Sequence, residues 1–168
     1  TAMHRSVDVA YGPKWKREAV INSGAEFVII NFDGVDIVQD ALINGGFDLV
    51  IVDEATGYKN PQTKRWKALN KIVTPDTWLW MMTGTPAAQS PLDAYGLAKL
   101  VNPQGVPRFF SSFRDMVMLK LTNFKWMAKE NATSTVFNAL QPAIRFTKDE
   151  CLDLPEMTYV KRTVELKI

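Results

Sequence analysis

Along the chain, short apolar runs alternate with polar segments whose hydrophobic residues recur at helical spacing. Val7–Tyr11 reads as a short strand. Gly12-Pro13 then punctuates, with Pro13 suited to the first turn of a helix that runs to about Asn22 and stops at Gly24. Glu26–Asn31 is a β-branched run without alternation, which predicts a strand buried on both faces. Asp33 stands where it would cap a helix carrying Val35, Ile37, Val38, Ala41 and Leu42, and Gly45-Gly46 ends it. Phe47–Asp53 is the clearest buried strand of the chain. A loop with Gly57, Asn60 and Pro61 leads to a helix near Gln62–Ile72, with Trp66, Leu69 and Ile72 on one stripe. Thr77–Thr83 is a further strand, closed by a turn at Gly84-Thr85-Pro86. Strands separated by single helices imply parallel pairing through right-handed crossovers, hence a doubly wound α/β sheet. Beyond Leu92 the pattern turns helical (about Leu92–Leu100, Ser112–Leu119 and Thr133–Leu140), and Thr158–Lys167 alternates like a strand at a sheet edge. No segment reads as a linker, so residues 1–168 are expected to form a single domain.

Composition narrows the function classes. The chain has 168 residues, 46% hydrophobic and 23% charged, near the globular average. One cysteine, Cys151, and one histidine, His4, exclude zinc sites built from those two residue types. The lone cysteine and the lack of a secretory signal fit a reducing, intracellular compartment. No apolar run is long enough to span a membrane. The net charge of +2 does not diagnose a nucleic-acid binder. Its distribution is uneven, because the first 84 residues hold 9 basic against 10 acidic side chains and the remainder 11 against 8. Trp66, Trp78 and Trp80 fall in helix and strand patterns where core packing is expected rather than base stacking.

Open parallel sheets bind ligands at the carboxyl ends of their strands. Here the Phe47–Asp53 strand ends in Asp53-Glu54, and an acid directly after buried aliphatics needs a partner. Magnesium is one such partner, with the neighbouring glutamate then placed to take a proton from an attacking water. A plain loop cap at Asp53 with Glu54 in solvent is the other reading. The next strand runs into Thr83-Gly84-Thr85-Pro86, small polar residues on a turn beside the first site.

The segment Phe47-Asp-Leu-Val-Ile-Val-Asp-Glu-Ala-Thr-Gly-Tyr-Lys-Asn60, followed by Thr63-Lys64, resembles the Asp-Glu-Ala-His region of superfamily 2 helicases, closest to the Swi/Snf-like DNA translocases. Met82-Thr-Gly-Thr-Pro-Ala-Ala-Gln-Ser-Pro-Leu-Asp93 resembles that branch's motif III, and Val28–Gly34 the strand and turn upstream. Phe109–Phe113 and Arg145–Pro155 resemble the end of the first motor lobe. The resemblance implies a RecA-like lobe of the P-loop NTPase type: a mainly parallel sheet flanked by helices, N-terminally incomplete. It implies magnesium and ATP as cofactors of the complete motor, and DNA as the track with RNA as the alternative. Asp53 would bind the magnesium of Mg-ATP, Glu54 would polarise the hydrolytic water, and Thr83, Gly84, Thr85 and Pro86 would couple nucleotide state to nucleic-acid grip. Asn31 would lie toward the nucleic acid. Lys59 is either a phosphate or nucleic-acid contact or half of a structural ion pair, and Lys64, Arg65 and Lys67 are expected on a solvated helix face.

Thr56 stands where the family usually carries histidine, and Gln89 where it commonly carries asparagine. The chain contains no Gly-x-x-x-x-Gly-Lys-Ser/Thr, the loop that cradles phosphates. A phosphate-loop segment and a second lobe with its arginine are therefore expected partners. By itself the chain is expected not to turn over ATP, and the lost first strands would expose a sheet edge open to self-association. The competing reading is a non-catalytic nucleic-acid or protein interaction module that keeps the fold.

Overall fold

The structure, a computed structural model, describes residues 4–151. The expected strand at Thr158–Lys167 and the Leu154-Pro155 end of the lobe lie outside them. The chain opens with β1 (Val7–Ala10), α1 (Lys14–Ile21) and β2 (Phe27–Ile30), with β1 and β2 parallel and Val7 opposite Phe27. Two short helices follow, α2 (Phe32–Val35) and α3 (Gln39–Asn44), then β3 (Leu49–Val52), α4 (Lys64–Ile72) and β4 (Trp78–Met81). β3 and β4 are also parallel, with Leu49 opposite Trp78 and Val52 opposite Met81. Thus each pair of strands is joined by a crossover carrying at least one helix, as the alternation of patterns predicts.

Four features differ from the sequence-based expectation. The strands form separate two-stranded sheets, β1-β2 and β3-β4, instead of one continuous doubly wound sheet. Among the described residues, helices cover one face only: Ala10, Val28, Ile30, Val50, Val52, Leu79 and Met81 pack into the core clusters. The alternate residues Val7, Val9, Phe27, Ile29, Ile51, Trp78 and Trp80 are exposed. Strands that read as buried on both faces are therefore buried on one, and Trp78 and Trp80 are surface residues. Trp66 is half-buried, its indole N–H donating to the Gly96 carbonyl at 2.8 Å.

The single helix expected after Asp33 is broken in two at Val38, which is buried at 1% exposure. Asp33 does not cap it. Its carboxylate pairs instead with Arg65 at 2.9 Å, so Arg65 ties α4 to α2 and is not merely solvated.

The remainder is a helical layer: α5 (Ala94–Val101), α6 (Phe110–Val117), α7 (Ala132–Ala139) and α8 (Lys148–Cys151). α5 has two buried faces. Leu97 and Leu100 join the β3-β4 cluster, while Ala94, Tyr95 and Ala98 pack with Phe113, Val117, Val136 and Ala139. Between α6 and α7 lies the fourth departure, an antiparallel hairpin of β5 (Met118–Lys120) and β6 (Trp126–Ala128) where helix was expected to reach Leu119. No helix among the described residues is long and apolar enough to cross a membrane.

Candidate functional site

β3 delivers Asp53 and Glu54 to the carboxyl edge of its sheet, and β4 delivers Thr83–Pro86 to the same edge. Two backbone bonds lock the strand ends together: Met82 N–H donates to the Val52 carbonyl, and Ala55 N–H to the Met82 carbonyl, both at 2.8 Å. Since hydrogen-bonded strands lie about 4.8 Å apart, the acidic pair and the threonine turn leave the sheet side by side. Ala55 and Tyr58, in the 3-10 turn Ala55–Tyr58, are fully buried, so the chain dives into the core immediately after Glu54.

That dive sets the geometry of the acids. Glu54 has φ 50° and ψ 58°, a left-handed conformation in a residue that is not glycine. Such a conformation costs on the order of 1–2 kcal/mol and persists only where surrounding contacts impose it. The Ala55 bond to Met82 and the buried Ala55 are those contacts. Both carboxylates face solvent. The Asp53 carboxylate accepts from the Glu54 N–H at 2.9 Å, and the Thr56 hydroxyl donates to the Glu54 carboxylate at 3.3 Å. The residue that replaces the family histidine thus contacts the second acid directly. In the neighbouring turn, the Thr83 hydroxyl accepts from the Thr85 N–H at 3.2 Å.

Asn31, at the end of β2, is exposed at this edge too, but its side-chain oxygen is engaged. It accepts from Arg17 at 2.8 Å. Arg17, on α1, is only 6% exposed, and its guanidinium also donates to the carbonyls of Ala10 at 2.9 Å and Gly12 at 2.7 Å. A Cβ on Gly34 would sit 2.2 Å from this guanidinium, so glycine is what admits the arginine. Sequence reasoning passed over Arg17. Its signal is a charged residue one turn before the buried Ile21 on the inward stripe of α1.

Lys59 pairs with Asp93 at 3.5 Å and approaches the Gln89 side-chain oxygen at the same distance, while the Gln89 N–H donates to Asp93 at 3.2 Å. The structural ion pair, one of its two readings, is present. It fastens the turn after Glu54 to the segment leading into α5. Gly96 makes that approach feasible, since a Cβ there would lie 2.2 Å from the Lys59 carbonyl oxygen. Lys64 and Lys67 are exposed.

Between β2 and β3, where no strand bonds form, opens a cleft of about 1010 Å³. It is walled by Phe27–Ile30 and Leu49–Val52 and reaches Asn31, Asp53 and Glu54 at its mouth. Among the described residues no three His, Cys, Asp or Glu side chains converge on a common point. Two adjacent exposed carboxylates do suit magnesium, which keeps several waters and takes one or two carboxylates plus substrate phosphates.

A model of the SNF2-related domain family matches residues 3–167. In Xenopus tropicalis and Xenopus laevis, the curated proteins named SWI/SNF-related matrix-associated actin-dependent regulator of chromatin subfamily A-like protein 1 are each 31% identical to this chain over 83 residues. The matched stretch is 48% of this chain and 9% of the length of each relative.

Proposed function

The chain belongs to the SNF2-related domain family, and on that premise we propose that it is part of the ATP-binding, RecA-like lobe of a Swi/Snf-like DNA translocase. In the complete motor, ATP hydrolysis would be coupled to movement on nucleic acid. The observation that carries this reading is the emergence of Asp53-Glu54 and Thr83–Pro86 from two bonded parallel strands at one edge.

The residues act as follows. Asp53 offers an exposed carboxylate to magnesium, which when bound neutralises charge on the transferring phosphoryl group. Glu54 takes the proton of the attacking water, its exposed carboxylate carried beside Asp53 on a left-handed backbone. Thr56 donates its hydroxyl to that carboxylate where the family carries an imidazole, so the contact that helps link hydrolysis to nucleic-acid binding is changed. Thr83 and Thr85, fixed in one turn, respond to the state of the neighbouring acids because Ala55 and Met82 join the two strand ends. Asn31 and Lys59 position this edge through their contacts with Arg17 and Asp93 and, both exposed there, keep the nucleic-acid side that the resemblance implies for them. The relatives are named as regulators of chromatin, and DNA is proposed as the track on that ground.

Nucleic-acid-stimulated ATP hydrolysis by a motor carrying this lobe, a phosphate loop and a second lobe tests the assignment. Asp53→Asn and Glu54→Gln should each remove the stimulated rate while leaving nucleic-acid binding in place. A motor that keeps its rate with either substitution refutes it, and leaves the non-catalytic interaction module as the reading of this fold.

A further inference from the structure

The β5-β6 hairpin plays no part in the strand-end site, and its charged side chains are all of one sign. Met118–Lys129 holds Lys120, Lys125 and Lys129 and no acidic residue. Lys120 and Lys125 are exposed and form no ion pair among the described residues. The tip is closed by hydrogen bonds. The Thr122 hydroxyl accepts from the N–H groups of Phe124 and Lys125 at 3.2 and 3.0 Å, and Leu121 N–H donates to the Lys125 carbonyl at 2.9 Å. This hydrogen-bonded turn presents Phe124 at 98% exposure, more than any other large apolar side chain described.

The base of the hairpin is also set. Lys120 stands opposite Trp126 in the ladder, and the Arg114 guanidinium lies 4.2 Å from the centre of the Trp126 ring. Lys129 donates to the Asp115 carbonyl at 2.6 Å, which anchors the hairpin to α6. A fixed turn that exposes a whole phenyl ring between unpaired lysines has no role in this chain's own packing. Bare aromatic rings beside unpaired cations suit unstacked bases and their phosphates, because every base has a π-face and every nucleotide a charge.

We propose that the Met118–Lys129 hairpin is a binding element for single-stranded nucleic acid, with Phe124 stacking on a base and Lys120 and Lys125 contacting the flanking phosphates. An apolar protein partner would be met poorly by a turn whose every charge is positive. The inference rests on the nucleic-acid track of the proposed motor and adds a contact outside the strand edge.

The test uses the full chain and a fluorescein-labelled oligothymidine about 20 nucleotides long, which exceeds the footprint of a single stacking platform. Anisotropy is read over a salt series and repeated with the oligonucleotide annealed to its complement. Phe124→Ala should weaken single-strand binding by about 5- to 150-fold with the salt slope unchanged, the range found for loss of one stacked base. The pair Lys120→Ala and Lys125→Ala should reduce the slope of log K against log salt by about 1.4, or about 0.7 for each phosphate contact. These three side chains are solvent-exposed, and unchanged thermal melts verify that the variants fold. If the wild type binds and all variants bind equally, the hairpin assignment falls while the motor reading stands. If the chain binds no oligonucleotide, or Phe124→Ala instead dissolves a dimer seen by sedimentation, the hairpin is not a nucleic-acid element. The motor reading is judged separately, by the hydrolysis assay of the complete motor.

Discussion

Replacing Arg17 by methionine tests how the strand edge is held. The change keeps an unbranched side chain in the same slot and deletes three hydrogen bonds, to the carbonyls of Ala10 and Gly12 and to Asn31. These acceptors differ in what happens next. Ala10 is 1% exposed, so its carbonyl loses its guanidinium partner where water is scarce, at a cost of about 1–3 kcal/mol. Gly12 is half-buried and Asn31 exposed, so water replaces part of what they lose, for about 1 kcal/mol together. Relief from holding a charge in a buried site returns some of this. The expected net destabilisation is about 1–3 kcal/mol, read from urea unfolding followed by far-ultraviolet circular dichroism. For a domain of this size that lowers Tm by roughly 2–12 °C. Asn31→Ala should cost less by itself, and almost nothing in the Arg17→Met background, because the bond it removes is already gone. A loss under about 0.5 kcal/mol for Arg17→Met, or full additivity with Asn31→Ala, would refute the view that this guanidinium organises the ends of β1 and β2.

Three further outcomes are expected. Gly96→Ala should destabilise by at least about 2 kcal/mol in the same urea assay, since the new methyl meets the rigid Lys59 carbonyl and must drive α5 off the turn after Glu54. Asp53→Asn should leave Tm within about 2 °C, because the side chain is exposed and asparagine can still accept from the Glu54 N–H; a large drop would make Asp53 architecture rather than chemistry. Burial pushes the Tyr58 phenol above its usual 10.0, so the folded state resists its ionisation and the unfolded state does not. Stability that is intact below pH 10 should therefore fall as the pH climbs through the raised value, and Tyr58→Phe should flatten that fall in urea titrations taken from pH 8 to 11.

The strands were legible because apolar runs such as Leu49–Val52 and Trp78–Met81 are short, β-branched or aromatic, and bounded by turn residues. The acidic pair and the threonine turn were legible because they follow those runs directly. What the runs could not reveal is how many faces they bury: Ile51 and Trp80 are as apolar as their neighbours, yet both are exposed. Residue type reports a capacity for burial, and only the placement of helices decides whether it is used. The hairpin escaped for a related reason. Met116–Leu121 reads as apolar at either period, and the antiparallel partner Trp126–Ala128 is too short to announce itself. The left-handed backbone of Glu54 has no signature in composition at all. It arises from the bond between Ala55 and Met82, residues 27 positions apart.

The division of the strands into two separate pairs bears on the order in which the chain acquires structure. Val7 and its partner Phe27 are 20 residues apart, and Leu49 and Trp78 are 29 apart, so each pair closes over one short crossover. Closing loops of those lengths costs nearly the same entropy, and neither pair needs the other's ladder to begin. What joins them is side-chain contact: Ile30 from the first pair, Val50 from the second, and Leu42 from α3, gathered on Val35, Ala68 and Ile72. Amide exchange should accordingly resolve two cooperative units, β1-α1-β2 and β3-α4-β4, with distinct opening energies. Trimming that shared cluster, for example by Ile72→Ala, should lower the opening energies of both units and weaken the coupling between them. The Asp53–Glu54 and Thr83–Pro86 edge lies wholly within the second unit, so it would stay assembled through excursions that melt the first.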